Sequence, residues 1–355
     1  MTSRERVLTA LEHRKPDRPP LNYFGTAETT AKLLKHLGLG TREELLGYLG
    51  ADMRYVGPRY VGPAHFCGES GYEEGGLDVW GIEWRPIAND FCSYNDIARH
   101  PLAEAGTLAD LKRYAWPSPD WFAVDHLRDE IRRFHDPEPR AIVLPTGHFF
   151  ESSWFLRGLE PFLMDLVERP DMAEFVLMKV TGFYKELTLR SLEAADGGID
   201  IVWSSSDIGM QTGMIVSPEL WRRHLKPWHR ELLTPFKRMG LKTRYHSDGG
   251  FIPVIEDLIE MGLDLLDPIQ PKAAGMDADN LRRLFGGRLS FYGGMDSQEL
   301  LPFGSAAQVE AEALRLIRVL GESGGYVVAA SNAIQPDVPV ENILAMFRAA
   351  REYRY

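Results

Sequence analysis

Apolar residues along the chain fall into two alternating kinds of run. Short, dense β-type runs recur, and most are followed by longer stretches with the three-to-four spacing of an amphipathic helix. The runs Leu21–Gly25, Ala51–Val56, Ala141–Pro145, Ile199–Trp203, Leu241–His246, Asp264–Asp267, Arg288–Gly294 and Gly325–Ala330 make eight expected strands. Helical spacing is expected over Thr2–His13, Ala27–Leu37, Leu108–Tyr114, Val124–Phe134, Glu151–Glu168, Pro170–Ala195, Ser217–Met239, Ile252–Ile259, Ala278–Phe285, Ser305–Leu320 and Val340–Tyr353. Between Gly57 and Asn95 the helical period disappears among Gly, Pro and aromatics, while Asp78–Arg85 alternates like one arm of a hairpin. Eight strand–helix units predict one (β/α)8 barrel over residues 1–355, with an N-terminal helix and an excursion after the second strand. A doubly wound sheet would need a glycine-rich phosphate loop after its first strand, and Phe24-Gly25-Thr26-Ala27-Glu28 is not one.

Composition narrows the class. The 355 residues are 44% hydrophobic, enough for a large core, and carry a net charge of -11 without a basic block. That argues against nucleic acid and against an anionic membrane surface. No apolar run reaches the ~18 residues of a spanning helix. The start, Met1-Thr2-Ser3-Arg4-Glu5-Arg6, lacks the apolar stretch of a signal peptide. Cys67 and Cys92 form no C-x-x-C and are too few for a disulfide framework, so a reducing cytoplasm is expected.

Chemistry concentrates at the ends of the expected strands, where an α/β barrel builds its site. In Tyr245-His246-Ser247-Asp248-Gly249-Gly250, His246 and Asp248 are two apart and project the same way from an extended backbone. A histidine and a carboxylate there suit metal binding, proton handling or ligand capture, and equally a hydrogen bond closing the turn. His148 and Glu151 follow the third strand, and Glu151 has a second reading as a helix-start residue. Asp207 follows Ser204-Ser205-Ser206, and Gln270 follows Pro268. Asn22, Tyr23 and Arg59 are mouth residues by position. Trp80, Trp84, Phe91 and Tyr94 suggest either a pocket wall or the packing of the excursion onto the barrel.

Four motifs resemble the uroporphyrinogen decarboxylase superfamily: Tyr245-His246-Ser247-Asp248-Gly249, Gly262 to Pro271, Phe291-Tyr292-Gly293-Gly294-Met295-Asp296, and Ile334 to Ile343. The resemblance implies a barrel enzyme, either a tetrapyrrole decarboxylase or a cobalamin-linked methyltransferase. The decarboxylase branch carries an arginine-bearing stretch after its first strand that grips substrate carboxylates. Here that stretch reads Asn22-Tyr23-Phe24-Gly25-Thr26, and Arg59 stands near the place of an expected aspartate.

The methyltransferase branch implies a zinc site with a His-x-Cys pair and a later cysteine. Those positions correspond to His246, Asp248 and Asn332. A thiolate-rich site is therefore not expected. Zinc or another divalent ion on His246 and Asp248 remains a candidate, with Glu151, Asp207 or His148 to complete it. No D-x-H-x-x-G cobalamin run is present, so the corrinoid would arrive on a partner protein. The reading is a methyltransferase with catalytic residues His246, Asp248, Asp207 and Glu151. Its substrate residues are Asn22, Tyr23, Arg59, His148, Gln270 and Asn332. The expected partners are a small substrate, a corrinoid protein and a second copy in a homodimer. A decarboxylase of a tetrapyrrole or other small carboxylic acid is the alternative, and a non-catalytic ligand-binding barrel the third.

Overall fold

The computed structural model describes residues 1–68, 75–88 and 93–355. Seven strands form a curled, all-parallel sheet in chain order. They are β1 (Met53–Tyr55), β2 (Ala141–His148), β3 (Ile201–Ser205), β4 (Lys242–His246), β5 (Leu265–Ile269), β6 (Ser290–Met295) and β7 (Tyr326–Ala330). Tyr55 lies opposite Val143, Val143 opposite Ile201, and Arg244 opposite both Trp203 and Leu265, and the register shifts between Pro145 and His148 and between Leu266 and Ile269.

The expected first strand, Leu21–Gly25, is reduced to isolated bridges from Leu21 to Val328 and from Gly25 to Ile334. It still spans the gap between β7 and β1. Val328 donates to the Pro20 carbonyl, Asn22 donates to the Val328 carbonyl, and Asp52 donates to the Leu21 carbonyl. Pro19 and Pro20 have no N–H for a longer ladder, so one rung on each side does the joining.

Helix Ser3–Leu11 opens with a Thr2–Glu5 capping box and buries Val7 and Leu11 against Met53, Ala141, Ile201, Leu265 and Val327. It plugs the amino-terminal end of the barrel and leaves the carboxyl end for the site. Charged pairs pin it there: Arg6 reaches buried Asp52 at 2.7 Å, and Arg4 reaches Asp200 at 2.8 Å.

Several boundaries differ from the sequence reading. The stretch 151–168 is two helices, Phe149–Arg157 and Leu159–Glu168, broken at Gly158, whose φ of 89° lies outside the helical region. The stretch 217–239 divides into Pro218–His224 and Lys226–Arg238, because Pro227 cannot donate into a continuous helix. Helix Arg42–Leu49, opened by a Thr41–Glu44 capping box, had no counterpart in the sequence reading. The hairpin arm is Glu83–Ala88, paired with Ser93–Arg99, rather than Asp78–Arg85. Asp78 instead organises the turn before it, accepting from Trp80 and Ile82 N–H groups and from the Trp84 indole.

Trp80 packs on Phe183 and Tyr184 with ring centroids 4.8 and 5.6 Å away, so the excursion is anchored on helix Pro170–Ala195. Trp84 is buried with it, whereas Tyr94 is exposed. Phe91 and Cys92 lie outside the described residues, and Cys67 is half-buried. Among the described residues no helix is long and apolar enough to cross a membrane.

Candidate active site

The site is assembled where the chain leaves β3 and β4. Alternation along β4 sends Arg244 and His246 into the lumen and Tyr245 outward, where its hydroxyl meets His229 Nε2 at 2.9 Å and the Ser206 carbonyl at 2.7 Å. After His246 the backbone turns through Gly249, at φ +79°. A Cβ there would lie 2.4 Å from the Gly209 carbonyl carbon, so only glycine lets the two loops press together. That approach makes Asp207 and Asp248 neighbours, with Asp248 N–H donating to Asp207 Oδ1 at 2.8 Å. Gly249 N–H donates to Gln270 Oε1 at 2.9 Å, and Asn332 Nδ2 donates to Asp248 Oδ2 at 2.8 Å.

His246 is surrounded by carboxylates. Its Nε2 lies 3.6 Å from Asp207 Oδ1 and 3.7 Å from Asp248 Oδ1, and its Nδ1 lies 3.4 Å from Asp267 Oδ2. Burial disfavours the imidazolium, yet Asp267, Asp207 and Asp248 outweigh it and raise the pKa to about 9. Burial pushes the Asp248 carboxyl up to about 6, with Asp207 adding to the rise and His246 opposing it. Glu151 is buried and accepts through Oε1 from the Asp207 N–H, and its Oε2 has no hydrogen-bond partner. Burial, then the charge of Asp207, lifts Glu151 to about 8. His148 sits at the end of β2, edge-on to Tyr184 at 6.2 Å, and burial depresses it to about 4.

Below this cluster lies a layer that the sequence reading missed. Arg244 donates through Nε to Asp267 Oδ2 at 2.8 Å and through Nη1 to the Tyr55 hydroxyl at 2.8 Å. Its guanidinium carbon stands 3.9 Å from the Tyr292 ring centroid and 4.5 Å from that of Trp203. Burial works against an ionised Asp267, but Arg244 and His246 keep its pKa below the ordinary carboxylate range. Asn22 Nδ2 bridges the hydroxyls of Tyr55 (2.8 Å) and Tyr292 (2.7 Å). The available signal was periodicity: Arg244 is two residues before His246, as Tyr55 is two after Met53.

His246, Asp248, Asp207, Glu151, Gln270 and Asn332 thus form one connected cluster, with Asn22 on the floor beneath. Two expected substrate residues are not brought to it. Tyr23 turns to the opposite side of its segment, where it is buried against Phe347 and bonds Thr30 at 3.0 Å. Arg59 is exposed on a short strand paired with Phe122–Ala123 and faces Glu130 at 3.9 Å. The placement of Tyr23 follows from strand alternation, which sends neighbours to opposite faces, whereas the strand of Arg59 belongs to a separate two-stranded sheet.

Asp207, His246 and Asp248 each offer one ligand atom, all within 4.8 Å of one another. A tetrahedral zinc ion with ordinary N and O bond lengths holds its ligand atoms about 3.4 Å apart, close to the separations around Nε2. Asp248 Oδ1 is buried without a hydrogen-bond partner. Nδ1 of His246 faces Asp267, the arrangement that orients a metal-binding imidazole. The donor set therefore fits a divalent cation with nitrogen and oxygen preferences.

Comparison with known proteins bears on the fold and the family. A methyltransferase from Methanosarcina mazei superposes with a TM-score of 0.68 at 19% identity, covering 99% of each chain. A B12-independent methionine synthase from a Shewanella strain gives a TM-score of 0.46 at 10% identity, over 95% of this chain and 93% of that one. The first shows a shared fold. No curated protein matches the chain. The model of the uroporphyrinogen decarboxylase (URO-D) family matches residues 152–353, which hold β3 to β7 and every member of the cluster except Glu151. With that match over more than half of its length, and a barrel whose carboxyl end carries this cluster, the chain belongs to the uroporphyrinogen decarboxylase family.

Proposed function

We propose that this protein is a methyltransferase that moves a methyl group between a small substrate and a corrinoid carried by a separate protein. The observation that carries the reading is the convergence of Asp207, His246 and Asp248 on one point at the carboxyl end of the barrel. A divalent ion bound there would draw electron density from the substrate heteroatom, making that atom a better leaving group or a more acidic acceptor. The protein's own part is orientation and charge. Asp267 holds the His246 ring by Nδ1, and Arg244 holds Asp267. Asn332 fixes Asp248 by one oxygen and leaves the other for the ion. Glu151, with Oε2 unpaired beside Asp207, is assigned the exchange of a proton with the substrate heteroatom.

A decarboxylase of tetrapyrrole acids needs free cations to grip carboxylates. Asn22, Tyr23 and Phe24 supply none, Arg244 is committed to Asp267, and Arg59 faces Glu130. The test offers the purified protein methylcobalamin and methylated small molecules, alone and with candidate corrinoid proteins from the same source. Methyl transfer to or from the corrinoid is expected only when a corrinoid protein is added. Fast transfer without one would remove the partner from the reading. Turnover of uroporphyrinogen with no methyl transfer would overturn it.

A further inference from the structure

The lumen floor beneath His246 carries hydrogen-bond donors that the protein leaves unused. Tyr55, Trp203 and His246 are half-buried around it, whereas Asn22 and Arg244 are buried in its walls. A phenolic oxygen gives one hydrogen and accepts through its lone pairs. The Tyr55 oxygen already accepts from Arg244 Nη1 and Asn22 Nδ2, both at 2.8 Å. A guanidinium has no lone pair to take a hydrogen in return, and an amide NH2 group is a donor only. The Tyr55 hydrogen, and that of Tyr292 bonded in the same way at 2.7 Å, therefore have no acceptor among the described residues.

Turning the Asn22 amide over does not remove the surplus. Its oxygen would then accept from both phenols, and its two N–H groups would be the spare donors instead. Trp203 adds another, because its Nε1 is buried without a partner. The one acidic group in this layer, Asp267, is already shared by Arg244 and His246. Arg244 and Asp267 also cancel each other's charge, so the floor offers donors without a free charge. The ring centroids of Trp203 and His246 are 6.1 Å apart, so a molecule reaching from the floor to the carboxylate cluster is only a few atoms long.

We propose that Tyr55, its oxygen held by Asn22 and Arg244, forms with Trp203 a subsite that takes the oxygen of a neutral substrate, a carbonyl or an ether, and holds the other end of that molecule beneath His246. The inference deepens the methyl-transfer reading by naming the substrate's chemistry, and rests on that reading only for which group reacts. Its test is a binding experiment that needs neither metal nor corrinoid, so failure of methyl transfer would leave it standing.

Metal-stripped protein is titrated with cyclopentanone, with methylenecyclopentane (the same shape without an oxygen) and with acetate. The indole N–H resonances are followed by NMR, and that of Trp203 is assigned from Trp203→Phe. Cyclopentanone is expected to shift the Trp203 signal and to saturate, and methylenecyclopentane is not. Tyr55→Phe, checked for an unchanged melting temperature, is expected to weaken cyclopentanone binding about fivefold, the worth of one ordinary hydrogen bond. Should Tyr55→Phe disturb the fold, Trp203→Phe supplies the same comparison by ligand-observed NMR. Equal binding of methylenecyclopentane, tighter binding of acetate than of the ketone, or an undiminished affinity in the folded variants would each overturn the proposal.

Discussion

At the scale of single residues, His246 and Asp248 act on one point rather than as two independent groups, since Nε2 and Oδ1 are 3.7 Å apart. His246→Ala and Asp248→Ala are each expected to lower kcat/KM by about 100-fold or more, with the double variant little worse, as for groups that share one task. Steady-state kinetics on the three variants checks this, and multiplicative losses would separate the two side chains. Asn332 Nδ2 lies 2.8 Å from Asp248 Oδ2, so positions 248 and 332 face the same spot. Asp248→Cys combined with Asn332→Cys should therefore bind zinc clearly more tightly than the parent, because zinc favours thiolates. Competition with a chromogenic chelator measures it, and an unchanged zinc affinity in the folded double variant would count against the shared ligand position.

At the scale of elements, the excursion and the amino-terminal helix each depend on one buried aspartate. Burial pushes the Asp78 carboxyl up to about 6, even though three N–H groups donate to it. The sign follows from linkage: a carboxyl whose folded pKa exceeds its unfolded value contributes stability below the unfolded pKa and loses it as pH rises through the folded one. Stability should therefore fall between about pH 4 and pH 6 by up to about 3 kcal/mol from this group, and stay level above. Urea unfolding at pH 4.5 and 7 should show a smaller fall in Asp78→Asn than in the parent, the remainder belonging to the raised carboxyls of Asp248 and Glu151. Equal slopes would mean that another group carries it.

Asp52 is fully buried and ties Arg6 and Arg18 to the Leu21 N–H at 2.7–2.8 Å. Asp52→Ala leaves two guanidinium groups at the barrel base short of a partner and is expected to cost about 3 kcal/mol. Chemical denaturation reads that loss directly; Arg6 also reaches Asp17 at 2.7 Å, and a cost below about 1 kcal/mol would show that this second pair alone satisfies it.

At the scale of the whole molecule, plug and site divide the barrel. The amino-terminal end is closed by an apolar helix face and ion pairs, while the carboxyl end is lined with carboxylates, a histidine and side-chain amides. The surplus of acid there, Asp207 and Asp248 around one imidazole, matches the chain's net charge of -11 only in sign. It matters locally, because a cation is the species that relieves it. The loops after β3 and β4, pressed together at Gly209 and Gly249, turn two separate strand ends into one site.

The sequence by itself determined the strand–helix alternation, the N-terminal helix and the strand ends that carry His246, Asp248, Asp207 and Glu151. These follow from hydrophobic period and from turn residues, which are local properties of the chain. It did not determine which side of a strand each neighbour faces. Tyr23 was expected at the mouth and lies elsewhere, because one step along an extended chain reverses the direction of a side chain, and Arg59 lies on a two-stranded sheet apart from the barrel. Nor could it show that Arg244, Asp267, Tyr55 and Tyr292 meet, since Arg244 and Tyr55 are 189 residues apart and bond across the lumen. Only the closed sheet brings such residues within reach. Burial in that sheet then lets Asp267 face Arg244 and His246 at short range, where charges interact more strongly than in water.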